Sequence, residues 1–83
     1  MTRMDFDKLL DSACSGNTGS MRGLSMLCFN MAEGCLNADD IEMATVYGGL
    51  GDGWKKLSEQ GQGYGSVSEQ VKEVTRNAFS RCF

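Results

Sequence analysis

The chain's punctuation constrains it most: it contains no proline and eleven glycines. Most of the glycines cluster at Gly16 to Gly23, Gly48 to Gly53 and Gly61 to Gly65. Proline stops a helix by removing a donor and clashing with the preceding turn, whereas glycine only weakens one. Helical segments separated by glycine clusters are therefore the natural outcome. No stretch shows the period-two alternation of a half-buried strand. The expected fold is all-α, a compact bundle of four to five short helices with glycine-rich turns. At 83 residues this is a single helical domain, residues 1–83. A domain of this size buries a marginal core, so a second chain is a common remedy.

The first segment runs from Arg3 to Cys14. Phe6, Leu9, Leu10, Ala13 and Cys14 fall on one helix face. Thr2 with Asp5 forms a candidate capping box. Ser15 to Gly19 reads as a loop, and Ser20 as the N-cap of a second helix reaching Leu36. That helix carries Leu24, Leu27, Cys28, Met31 and Cys35, widened by Met21 and Ala32 on one side and by Phe29 and Leu36 on the other. Its apolar arc of roughly 200° exceeds what a surface helix needs. It is either a central helix touched from two sides or half of a dimer interface.

The third segment opens at Asn37, with Ala38-Asp39-Asp40 as an acidic first turn and Gly48-Gly49 ending or loosening the helix. A short helix from Asp52 to Gln60 follows, with Trp54 and Leu57 inward and Lys55-Lys56 outward. After a loop at Gly61 to Gly65, the last helix spans Ser66 to Arg81. Ser66 and Glu69 match a capping box, and Val67, Val71, Val74, Ala78 and Cys82 form its stripe.

Composition narrows the function classes. The hydrophobic fraction of 41% and charged fraction of 23% are those of a folded domain. A net charge of −3 argues against a general nucleic-acid binder, which needs cations to displace counterions from phosphates. No apolar run approaches a membrane span, and Met1 to Asp5 lacks the apolar region of a signal peptide. The expected location is cytoplasmic, with no membrane role. Cys14, Cys28, Cys35 and Cys82 form no C-x-x-C pair, and there is no histidine. Cys28 and Cys35 lie about 10 Å apart along a helix axis, too far for a disulfide. They read as reduced, buried thiols, with no metal and no cofactor.

Four constellations compete for function. Residues 40–59 resemble a helix-turn-helix, with Ala44 at the crossing, Gly48 at the turn, and Trp54 and Leu57 behind the second helix. Lys55, Lys56 and Ser58 would then face DNA, but Gly49 and Gly51-Asp52-Gly53 depart from the pattern. The glycine run itself lacks the order of a phosphate-binding or calcium loop. Catalysis lacks a histidine and a chain long enough to wall off a pocket, so the chain reads as no enzyme.

The fourth constellation is an interaction surface: Met26, Phe29 and Leu36 on the second helix, with Tyr47, Trp54 and Tyr64 around the glycine turns. The expected function is a non-enzymatic protein–protein interaction module, with another protein as partner and a homodimer as its form. In general character the chain resembles the small acidic inhibitors and adaptors of phages and other mobile elements, which implies a host protein as target. The alternative is a small helix-turn-helix transcription regulator, the one reading that includes nucleic acid.

Overall fold

The computed structural model describes residues 2–60 and 69–80. All regular structure among them is helical: α1 Arg3–Cys14, α2 Thr18–Asn37, α3 Ile41–Gln60 and α4 Glu69–Ala78. The Gly61 to Gly65 loop, Tyr64, the Ser66 cap, Val67 and Cys82 lie outside the described residues.

α1 starts as its sequence dictates. Thr2 Oγ1 accepts from the Asp5 amide at 3.2 Å, and the Asp5 carboxylate accepts from the Thr2 amide at 3.3 Å. This reciprocal pair satisfies two of the donors that every helix start leaves open. The next two turns are built alike. After α1, the Gly16 amide donates to Ala13 O and the Asn17 amide to Ser12 O. After α2, the Asp39 amide donates to Leu36 O and the Asp40 amide to Cys35 O. Each is a Schellman closure, which needs a left-handed residue at its centre. Gly16 (φ 100) and Asp39 (φ 59) fill that place, Asp being one of the few side chains that tolerate it.

In both turns the closing residue also caps the next helix. Asn17 Oδ1 accepts from the Ser20 amide and Asp40 Oδ1 from the Met43 amide. The caps are thus Asn17 and Asp40, where the sequence suggested Ser20 and Asn37. A single residue whose backbone amide closes one helix and whose side chain caps the next leaves no room for a longer loop, so α1–α2 and α2–α3 are tight hairpins.

The main correction concerns Gly48 to Gly53. No turn forms there, and α3 runs unbroken from Ile41 to Gln60. An ion pair of Lys56 with Asp52 at 3.0 Å ties the end of the run to the turn that follows it. The helix-turn-helix of residues 40–59 is therefore not the geometry of this segment. Each glycine disfavours helix by about 1 kcal/mol relative to alanine, but α3 lies along the full length of α2 and gains more by packing.

That packing centres on Gly51. Ser25 Oγ donates to Gly51 O at 2.7 Å in the buried seam. A Cβ built at Gly51 would stand 3.1 Å from three atoms of the Phe29 ring. The missing side chain lets the two helices approach and lets Phe29 lie across the α3 backbone. At Gly48, Gly49 and Gly53 a Cβ meets nothing within 4 Å.

α2 is the central helix, packed on α3 along one side and on α1 along the other. Leu10, Leu24 and Cys28 are fully buried in this core. α4 closes the opposite end through aromatic residues. The Phe79 ring lies 4.7 Å from that of Phe6 and edge-on at 5.1 Å to that of Tyr47. Trp54 Nε1 donates to Thr75 Oγ1 at 3.1 Å, and the Tyr47 hydroxyl donates to Ala78 O. The inward face of α4 is Val71, Thr75, Ala78 and Phe79, whereas Val74 of the expected stripe is exposed. Lys72 reaches across to Asp11 of α1 at 3.1 Å.

The glycines predict a contrast. Gly49→Ala and Gly53→Ala should each stabilise the fold by about 0.5–1 kcal/mol, because α3 gains helix propensity at open positions. Gly51→Val should lose about 1–3 kcal/mol by overpacking against Phe29. Urea unfolding followed by circular dichroism measures both. A Gly51→Val variant as stable as wild type would refute the close seam.

Candidate functional site

With the aromatic residues drawn towards α4, the large apolar side chains left exposed on the α2–α3 pair are Ile41 and Val46 on α3 and three on α2. Met26 is 67% exposed, Leu36 54% and Phe29 41%. Met26 and Phe29 border a groove of about 410 Å³ between α2 and α3, lined also by Arg22, Ser25, Lys55, Ser58 and Glu59. Gly51 explains why the groove exists. Phe29 lies over the α3 backbone instead of filling the space beside it, and Ser25 is held at the floor by its bond to the Gly51 carbonyl.

The charges around the groove are free to act outward. Among the described residues, Arg22, Lys55 and Glu59 take part in no ion pair, in contrast to Lys56, Lys72 and Arg76. Exposed apolar side chains with unpaired charges of both signs around them match the anatomy of a protein contact: an apolar centre and a polar rim.

Of the residues expected in the contact, Met26, Phe29 and Leu36 share the outer edge of α2. Tyr47 and Trp54 do not join them. They are 3% and 1% exposed, with their polar atoms bonded to α4. Burial in a core follows from their size once α3 is continuous, since Tyr47, Trp54 and Ser58 then fall on its inner side. Tyr64 lies outside the described residues. The three residues proposed to face DNA separate as well. Lys55 stands at the groove, Lys56 pairs with Asp52, and Ser58 is buried with its hydroxyl donating to Lys55 O at 2.7 Å.

Sequence reasoning missed Ser25 and Glu59, and read Arg22, one turn before Met26, only as its polar neighbour. Ser25 and Glu59 become visible only when Gly51 places α3 beside α2. A second shallow groove of about 380 Å³ lies between α3 and α4, with Met43, Val46 and Val74 in its lining.

The thiols are set by burial. Cys14, Cys28 and Cys35 are free, the first two buried and the third half-buried. Burial pushes the Cys28 thiol up from 9.0 to about 12. Burial also raises Cys14, with the nearby Lys72 ammonium acting in the opposite direction. Both thiols are therefore poor nucleophiles near neutral pH. Among the described residues no helix is long and apolar enough to cross a membrane. Comparisons with protein-family models, curated proteins and solved structures find no match for this chain.

Cys28 makes stability depend on pH in a defined direction. The folded chain keeps this proton where the unfolded chain releases it. The contribution of the neutral thiol is complete below pH 9 and is lost as the pH climbs from 9 towards 12. In peptide-mapped alkylation at pH 8, Cys35 should react ahead of Cys28. Equal rates at the two thiols would contradict the buried position of Cys28.

Proposed function

We propose that this chain is a non-enzymatic protein-interaction module that works through the outer edge of α2 and the groove beside it. The supporting observation is the exposure of Met26 and Phe29 at a groove whose charged rim forms no ion pairs within the described fold. Met adapts to irregular partners and Phe supplies a large apolar contact. Leu36 extends the same edge towards the α2–α3 turn. An inhibitor or adaptor of phage or mobile-element type, holding a host protein at this edge, is the functional class in which such a module belongs.

The test is capture from lysate with the tagged full chain, treated with nuclease, alongside Met26→Glu and Phe29→Ala. Val46→Glu in the second groove serves as the control surface. A partner held by wild type and by Val46→Glu, and reduced about tenfold or more by the α2 variants, is the expected result; it corresponds to about 1.4 kcal/mol. Circular dichroism confirms that each variant is folded. Capture unaffected by both α2 variants, or lost on nuclease treatment, would reject this surface.

A further inference from the structure

The edge of α2 has an order that the interaction reading alone does not require. Arg22, Met26, Phe29 and Glu33 are all exposed. At 100° per residue they lie within about 60° of one another on the helix. Their spacing is four, three, four, which reads the same in both directions. Gly19 and Leu36 extend it by three residues at each end, again symmetrically. The apolar pair occupies the middle, with a cation on the N-terminal side and an anion on the C-terminal side. Neither Arg22 nor Glu33 has an ion-pair partner among the described residues.

We infer that the occupant of this edge is a second copy of the chain, with the two α2 helices antiparallel across a two-fold axis between Leu27 and Cys28. The inference rests on the proposed interaction surface: the second copy covers the edge in the free chain, and a host protein competes with it for the same residues. In that register Arg22 of each copy meets Glu33 of the other, forming two equivalent ion pairs. Met26 lies over the other copy's Phe29, a thioether against an aromatic ring, which is a favourable contact. Leu36 passes over Gly19, which has no side chain to obstruct it. A two-fold interface must be self-complementary: if residue i meets j, then j meets i. A strip with opposite charges at equal distances from an apolar centre meets that condition, whereas an unrelated partner places no such demand on it.

The strip from Gly19 to Leu36 is about 26 Å long at 1.5 Å per residue. At a helix diameter of about 10–12 Å its footprint is on the order of 300 Å², below the roughly 800 Å² per partner of a standard interface. The dimer is therefore reversible and concentration-dependent. Lys55 and Glu59 stand beside the strip and add salt sensitivity.

Sedimentation equilibrium of the full chain over a wide concentration range tests this. Wild type should show a monomer–dimer equilibrium weakened by salt. Met26→Glu should raise the dissociation constant about tenfold or more. Arg22→Glu and Glu33→Arg should each weaken self-association, because each places like charges opposite one another twice. An equimolar mixture of those two variants should restore dimers, as should the double variant R22E/E33R. Circular dichroism checks that these surface variants keep the wild-type fold. A wild type that stays monomeric throughout overturns the second copy. If partner capture still depends on Met26 in that case, the interaction surface survives without it. Dimers indifferent to all three single changes would place self-association on another face, such as the α3–α4 groove, and would also overturn the inference.

Discussion

Gly51 is the position on which the structure turns. It sits inside α3 where a helix would ordinarily avoid glycine; the Phe29 ring lies against the space a side chain would take, and the Ser25 hydroxyl donates to its carbonyl. Close approach of two helices of this length buries apolar surface along the whole seam. That gain outweighs the local cost of a glycine-rich helix. The same contact fixes the functional edge. Phe29, laid across the α3 backbone, is covered on one side only, and Met26 one turn earlier is left standing in solvent.

The aromatic residues divide the molecule into two ends with different chemistry. Phe6, Tyr47, Trp54 and Phe79 gather where α1, α3 and α4 meet, and their polar atoms are answered by Thr75 and the Ala78 carbonyl. Tyrosine and tryptophan can be buried there because each N–H or O–H finds an acceptor. Among the described residues no helix covers the α2 edge, and Met26, Phe29 and Leu36 are exposed there. One end is a satisfied core and the other an open surface, and the continuity of α3 joins them.

Much of this was legible in the sequence, but unevenly. α1 and its Thr2–Asp5 cap follow from local rules alone, and the structure reproduces them. The wide apolar arc of α2 leaves open a central helix or a dimer face; α2 packs on both α1 and α3, and Phe29 and Leu36 of the arc stay exposed. The glycine run misled because propensity is local: Gly48 to Gly53 read as a turn, and only the partner helix makes it a continuous α3. Trp54 was legible as an inward residue, but placing it and Tyr47 beside a turn also made them contact candidates, which their burial does not support. On α4 the regular valine spacing drew attention to Val74, while the buried position belongs to Thr75, whose hydroxyl accepts from Trp54. A polar residue at a core position is visible only through its partner.

The seam at Gly51 can be observed directly by nuclear magnetic resonance of the full chain. If Phe29 lies over the α3 backbone, ring-current shielding should move the Gly51 α protons upfield, with cross-relaxation to the Phe29 ring. The α-carbon shifts from Gly48 to Gly53 should be helical without interruption. Unshifted Gly51 protons together with coil-like carbon shifts across the run would mean that α3 breaks there, and that the α2 edge is not held as described.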